Sequence, residues 1–182
     1  TDLTAPVITL TGDATITIEH GDTYTDPGYT ANDTEDGDLT ASVVVTGVVD
    51  ATKAKTYTIT YTVTDAAGNQ GTAERTVIVT HTKNSIAGTY STTESCTISG
   101  NFGPYSCSIT PRTGTEFTIT MNNFGDFTNT VDLEGTLTGE NGLDLTILSQ
   151  VVTGITFAGT GVLTEDGATI TITYTADDRV DQ

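Results

Sequence analysis

Tyr57-Thr58-Ile59-Thr60-Tyr61-Thr62-Val63-Thr64-Asp65-Ala66-Ala67-Gly68-Asn69 is the stretch that decides the fold. In an extended chain successive side chains point to opposite faces, so Tyr57, Ile59, Tyr61 and Val63 share one face and Thr58, Thr60, Thr62 and Thr64 the other. That is a strand with one face on a core, ended by a turn at Ala67-Gly68-Asn69. Working outward, strands are predicted at Val7 to Leu10, Ala14 to His20, Ser42 to Val49 and Thr72 to Thr80, with turn formers such as Asp26-Pro27-Gly28 between them. Roughly a quarter of the residues are Thr, and Val, Ile and Tyr fill most of the remaining regular positions, a mixture that favours pleated strands. No amphipathic helix is found. The predicted class is all-β, with a Greek-key β-sandwich at the N-terminus.

Several runs in this half carry a resemblance. Ala5-Pro6-Val7-Ile8-Thr9-Leu10, Gly21-Asp22-Thr23-Tyr24-Thr25-Asp26-Pro27-Gly28-Tyr29, Asp36-Gly37-Asp38-Leu39-Thr40 and the Tyr57 to Asn69 stretch occur in an order that closely resembles bacterial immunoglobulin-like surface domains, over about residues 2–80. The resemblance implies a spacer or stalk in a secreted or surface-attached protein, and it brings no catalytic residues.

The chain has 182 residues, room for two small β domains. Its 24 acidic against 6 basic residues give a net charge of −18, which repels phosphate backbones and anionic lipid and argues against nucleic acid as a partner. The charge reads first as a solvated, soluble surface, because the alternating strands have apolar faces that disordered acidic chains lack. No run approaches the roughly twenty apolar residues of a membrane-spanning helix, and no leader-like segment opens the sequence, which reads as a mature or trimmed fragment.

The predicted division is an immunoglobulin-like sandwich over 1–80, a linker over 81–85 too short to let the domains tumble freely, and a second domain over 86–182. The second domain reads as antiparallel hairpins closing a small β-barrel or sandwich. A two-residue turn at Asp166-Gly167 pairs Leu163 with Ile170, Gly161 with Ile172 and Gly159 with Tyr174, so that glycines leave room for bulky partners. A three-residue loop, Glu140-Asn141-Gly142, pairs Leu137 with Leu145 and places Gly142 where a left-handed residue is wanted. From Ile86-Ala87-Gly88-Thr89-Tyr90 through Asn123-Phe124-Gly125 to Ile170-Thr171-Ile172-Thr173-Tyr174, this half resembles a small β domain of Bacteroidetes surface lipoproteins. The resemblance implies an extracellular or cell-surface location and no particular ligand. The sequence has no lipidated Cys at its start, so such anchoring would come from residues outside it.

Cys96 and Cys107 are the two cysteines, and a turn at Gly100-Asn101-Phe102-Gly103 would set Cys96 opposite Cys107, Ser99 opposite Pro104 and Ile98 opposite Tyr105. A cross-strand disulfide is predicted. Zinc would need two further ligands, and His20 and His81 belong to the first domain or its edge.

Asp33, Glu35, Asp36 and Asp38 crowd one loop, and Asp65 could approach it in the fold. A solvated turn with carboxylates bonded to the local backbone is the simpler reading. The alternative is a weak calcium site, with Asp36 and Asp38 as first ligands and Asp65 as a third, although the spacing is not that of an EF-hand. No other cofactor is expected.

Neither histidine sits in a nucleophile motif, no carboxylate pair stands out, and no phosphate-cradling glycine loop precedes a helix, so no enzyme is expected. Phe102, Tyr105, Phe124 and Phe127 lie in or near turns of the second domain. They could plug the ends of a small barrel or offer a stacking platform to a glycan or protein partner. The expected function is a non-catalytic spacer presenting the second domain, within a surface lipoprotein or secreted assembly. The alternative is a binding module using these aromatics.

Overall fold

The structure is a computed structural model, and it describes residues 2–96, 100–112, 116–121, 131–152 and 155–177. The chain divides into two compact units, Thr1–Thr80 and His81–Gln182. Both are built of strands.

The first unit has two sheets. One is three-stranded, in the order β1 (Val7–Leu10), β3 (Tyr29–Asp33), β4 (Gly37–Asp38); the other is four-stranded, in the order β2 (Thr15–Glu19), β7 (Gln70–Thr80), β6 (Thr56–Thr64), β5 (Val44–Thr46). β6 occupies the span its alternation predicts: Ile59, Tyr61 and Val63 are buried, Tyr57 is half-buried, and the threonines point outward. Ile59, Tyr61 and Val77 form the centre of the core, with Ile8, Leu10, Ile18, Tyr24 and Tyr29 packed around them. The edge segment expected at Ser42 to Val49 is shorter than predicted, since a 3-10 turn at Thr40–Ser42 precedes a three-residue strand. β3 and β4 carry too few apolar residues to show in the sequence pattern. The chain also crosses between sheets early, so that β1 pairs antiparallel with β3 while β2 runs parallel to β7, with Thr15 opposite Thr76.

The second unit is a seven-stranded antiparallel meander in chain order: β8 (Gly88–Cys96), β9 (Gly100–Pro111), β10 (Glu116–Met121), β11 (Val131–Thr138), β12 (Asp144–Val152), β13 (Ile155–Leu163) and β14 (Ile170–Asp177). β8 and β14 are its edges, so the sheet is a half-barrel rather than a closed one. Ile109, Phe117, Ile119, Leu133, Leu145, Ile147, Phe157 and Leu163 are buried together with Ile86 on its inner face. A single sheet can hide one face in this way only by curling around it. Glycines allow the curl: a Cβ on Gly135 would lie 2.7 Å from the Phe117 ring, and one on Gly159 2.7 Å from Tyr174 Cβ. In β12 the register shifts between Ile147 and Gln150, and the Gln150 amide reaches across to accept from Glu134 N–H at 3.1 Å and donate to Glu134 C=O at 3.3 Å. A side chain thus stands in for the ladder where the strand bulges.

The two derived hairpins have the expected registers. Leu163 pairs with Ile170, Gly161 with Ile172 and Gly159 with Tyr174; Leu137 pairs with Leu145, and Gly142 has φ of +64°. The β8–β9 hairpin differs. Cys96 pairs with Gly100, Cys107 with Tyr90 and Met121, and Tyr105 with Thr92. The expected turn residues Gly100 and Asn101 lie inside the ladder, opposite Cys96 and Ser95. The register is set instead from the other end of β9, where Ile109 is buried between Gly88 and Ile119. It slips by one residue at Gly103-Pro104, because a proline has no N–H to give the ladder. Cys107 is then seven residues along β9 from the partner of Cys96, about 23 Å of strand, whereas a disulfide needs Cα atoms within about 7 Å. The predicted Cys96–Cys107 disulfide is not supported by this register.

The segment expected to be a linker belongs to the second unit. His81 is buried there; its N–H donates to Asn141 C=O at 2.9 Å, and its ring contacts Ser85 Oγ and Glu165 C=O, each at 3.2 Å. Among the described residues no helix is long and apolar enough to cross a membrane.

Candidate metal centre

Three carboxylates meet at one end of the first unit. One oxygen from each of Asp2, Asp33 and Asp65 lies within 4.8 Å of the others, and Asp33 and Asp65 are buried, at 4% and 7% exposure. Three different segments bring them there.

Asp33 ends β3 and faces inward. Its Oδ1 accepts from the backbone N–H of Glu35 at 2.9 Å and of Asp36 at 3.0 Å, which closes the tight turn into β4. Gly37, with φ of +75°, completes that turn in a conformation other residues avoid. The Asp33 Oδ2 is buried and accepts no hydrogen bond. Asp65 follows β6 and opens the turn into β7. Its Oδ1 accepts from Asn69 N–H at 2.8 Å and its Oδ2 from the Asn69 side-chain amide at 2.7 Å. Burial pushes the Asp65 carboxyl up, but the hydrogen bonds from Asn69, Gly68 and Ala67 together outweigh it and hold the group below the usual carboxylate range.

Asp2 lies on the segment leading into β1. Its Oδ1 accepts from Thr4 N–H at 2.8 Å, its backbone carbonyl accepts from the Asn69 amide at 3.4 Å, and its Oδ2 is buried without a partner. Gly71 lets this segment lie against β7: a Cβ there would stand 1.9 Å from the Pro6 carbonyl oxygen. The ion pairs of the described residues, Lys53–Asp50, Arg75–Asp26 and Arg112–Glu134, neutralise none of the three.

Of the five acids named from the sequence, the fold therefore brings two together. Asp36 Oδ2 accepts from Ala66 N–H at 2.7 Å and ties the two turns to each other. Asp38 is held below the usual carboxylate range by hydrogen bonds from the Thr40 hydroxyl and N–H, so its carboxylate is bonded to the chain two residues on. Glu35 is exposed at the tip. Asp36 and Asp38, expected as first ligands, do not join this cluster, whereas Asp33 and Asp65 do, because those two stand at strand ends and are buried. Asp2 was missed. Its only sequence signal is a carboxylate beside a hydrophobic start, and nothing local links it to residues 33 or 65.

A second buried polar cluster is structural. Arg75, fully buried on β7, donates to the carbonyls of Asp13 (2.7 Å), Thr11 (2.9 Å) and Gly28 (3.0 Å) and to the Tyr61 hydroxyl at 3.2 Å. Tyr61 donates in turn to the Asp26 carboxylate. His20 contacts Thr52 C=O at 2.9 Å, which joins two loops of the same unit. Phe102 and Tyr105 stand on β9 with side chains outside the described set, and Phe124 and Phe127 lie outside the described residues.

The family model for the bacterial surface protein Ig-like domain matches residues 8–79. The first unit carries a bacterial surface Ig-like domain. The matched stretch of this Ig-like domain takes in both sheets, with Asp33 and Asp65 inside it and Asp2 outside. No curated protein is significantly similar to the chain. Among solved structures it is similar to a lipoprotein from Bacteroides thetaiotaomicron, at 19% identity and a TM-score of 0.41, over 94% of this chain and 99% of that one. It is also similar to CBM51-2 in complex with GlcNAc and INT domains from Clostridium perfringens ZmpB, at 17% identity and a TM-score of 0.35, over 94% of this chain and 40% of that one.

Proposed function

We propose that the chain is a non-catalytic part of a bacterial surface protein, in which the Ig-like unit is a spacer that holds the half-barrel unit away from its point of attachment. The observation that carries this reading is the Ig-like match over residues 8–79, in a unit whose fully buried cation, Arg75, is spent on three backbone carbonyls and a tyrosine of its own fold. Such a residue ties the loops and strands of the module to one another. The net charge of −18 keeps a surface module soluble and away from anionic polymers.

Removing residues 1–80 from the protein displayed on a cell surface tests the reading. The second unit should then be reached less readily by an antibody raised against it. Unchanged accessibility, or turnover of any substrate by the purified protein, overturns it.

A further inference from the structure

We propose that Asp2, Asp33 and Asp65 bind a calcium ion that pins the segment before β1 to the β3–β4 and β6–β7 turns. The proposal goes beyond the spacer role and does not depend on it.

Two independent observations meet at this place. The first is the convergence of three carboxylate oxygens within 4.8 Å, with no cationic side chain of the described ion pairs compensating them. The second is that two of these groups, Asp2 and Asp33, each hold an oxygen that is out of contact with solvent and accepts nothing, and Asp33 is 4% exposed. Buried acceptors are nearly always satisfied, and a buried carboxylate oxygen with neighbouring negative charge is the least tolerable exception. A cation removes both problems at once.

The donors are all hard oxygens, without sulfur or imidazole, which selects calcium or magnesium over zinc or copper. Calcium fits better. It accepts six to eight ligands in loose geometry, so three carboxylates, nearby carbonyls and water suffice, whereas magnesium demands near-octahedral geometry and gives up its water reluctantly. The second oxygens of Asp2 and Asp33 are already held by backbone N–H groups, and both oxygens of Asp65 are held by Asn69, so the carboxylates are oriented before an ion arrives. With only three protein carboxylates the site belongs in the weak class, with dissociation constants on the order of 0.1 to 1 mM that suit extracellular calcium.

The test is a calcium titration of the whole chain followed by amide NMR, with Asp2→Asn and Asp33→Asn alongside. The expected result is a saturable shift in the millimolar range confined to residues 2–4, 33–37 and 65–69, weaker with magnesium, and lost in both variants. Asp2 lies outside the sheets, so Asp2→Asn keeps the test decisive even where Asp33→Asn fails to fold. Three outcomes overturn the proposal: no shift, shifts scattered without saturation over the acidic surface, or an unchanged response in Asp2→Asn. A thermal scan adds a second readout, since an ion bound by the folded state alone raises the melting temperature of the first unit with free calcium, and chelator reverses it.

Discussion

Arg75 and Tyr61, both fully buried on adjacent strands of the first unit, are joined by a hydrogen bond of 3.2 Å from the guanidinium Nε to the phenol oxygen. Through that phenol the arginine reaches the Asp26 carboxylate, and through its remaining nitrogens it holds the carbonyls of Thr11, Asp13 and Gly28. One cation thus organises two of the loops that connect the two sheets, the one before β2 and the one after it.

Replacing Arg75 should be among the most damaging single changes in the Ig-like unit. Arg75→Met keeps much of the volume but strands three carbonyls, and breaking a buried charged cluster by removing one partner costs about 3 to 5 kcal/mol. Denaturant unfolding of the variant should show a loss of that size in the first unit. A loss under about 1 kcal/mol would mean that water reaches the cluster and that Arg75 is not the organiser described.

The same pair sets an alkaline limit. Burial, then the hydrogen bond to Asp26, push Tyr61 from its ordinary 10.0 up to about 12. A raised pKa means that the folded state prefers the protonated phenol. This contribution to stability is complete below pH 10 and disappears as pH rises toward 12. Unfolding measured from pH 8 to 12 should show stability falling through that window, and Tyr61→Phe should flatten the fall.

The half-barrel should be sensitive to any added atom at Gly135. Its missing Cβ leaves space for the Phe117 ring, since a Cβ there would stand 2.7 Å from that ring, and Phe117 is fully buried. Gly135→Ala should cost about 1 to 3 kcal/mol by overpacking, and Phe117→Ala about 3 to 5 kcal/mol by cavity formation. Combining the two should restore part of the loss, because the alanine then occupies vacated space. Full additivity in the double variant would show that the two residues do not share that space.

The β8–β9 register makes a prediction about the cysteines. With Cys96 opposite Gly100 and Cys107 opposite Tyr90, thiol counting under denaturing conditions should find two free thiols, and reductant should leave the melting of the second unit unchanged. A single intramolecular disulfide would instead require the register with Cys96 across from Cys107.

By itself the sequence determined what depends on neighbours in the chain. The alternation from Tyr57 to Thr64 specifies a strand and its buried face, because side-chain direction follows from position alone. The pairings of Leu163 with Ile170 and Leu137 with Leu145 follow from turn length and from the need to keep apolar residues on one side. Only the tertiary structure decided the rest. The β8–β9 register rests on Ile109 entering the core beside Ile119 and on a slip at Pro104, so a turn-like composition at Gly100-Asn101 misplaced it. The parallel pairing of β2 with β7 and the burial of Arg75 join residues some sixty positions apart, as Thr15 with Thr76 and Asp13 with Arg75. Asp2, Asp33 and Asp65 likewise converge from three segments. Of the acids crowded in one loop, Asp38 bonds its local backbone, Asp36 bonds the Ala66 N–H and Glu35 faces solvent, while Asp33 meets Asp65 and Asp2 because the fold brings distant parts of the chain together.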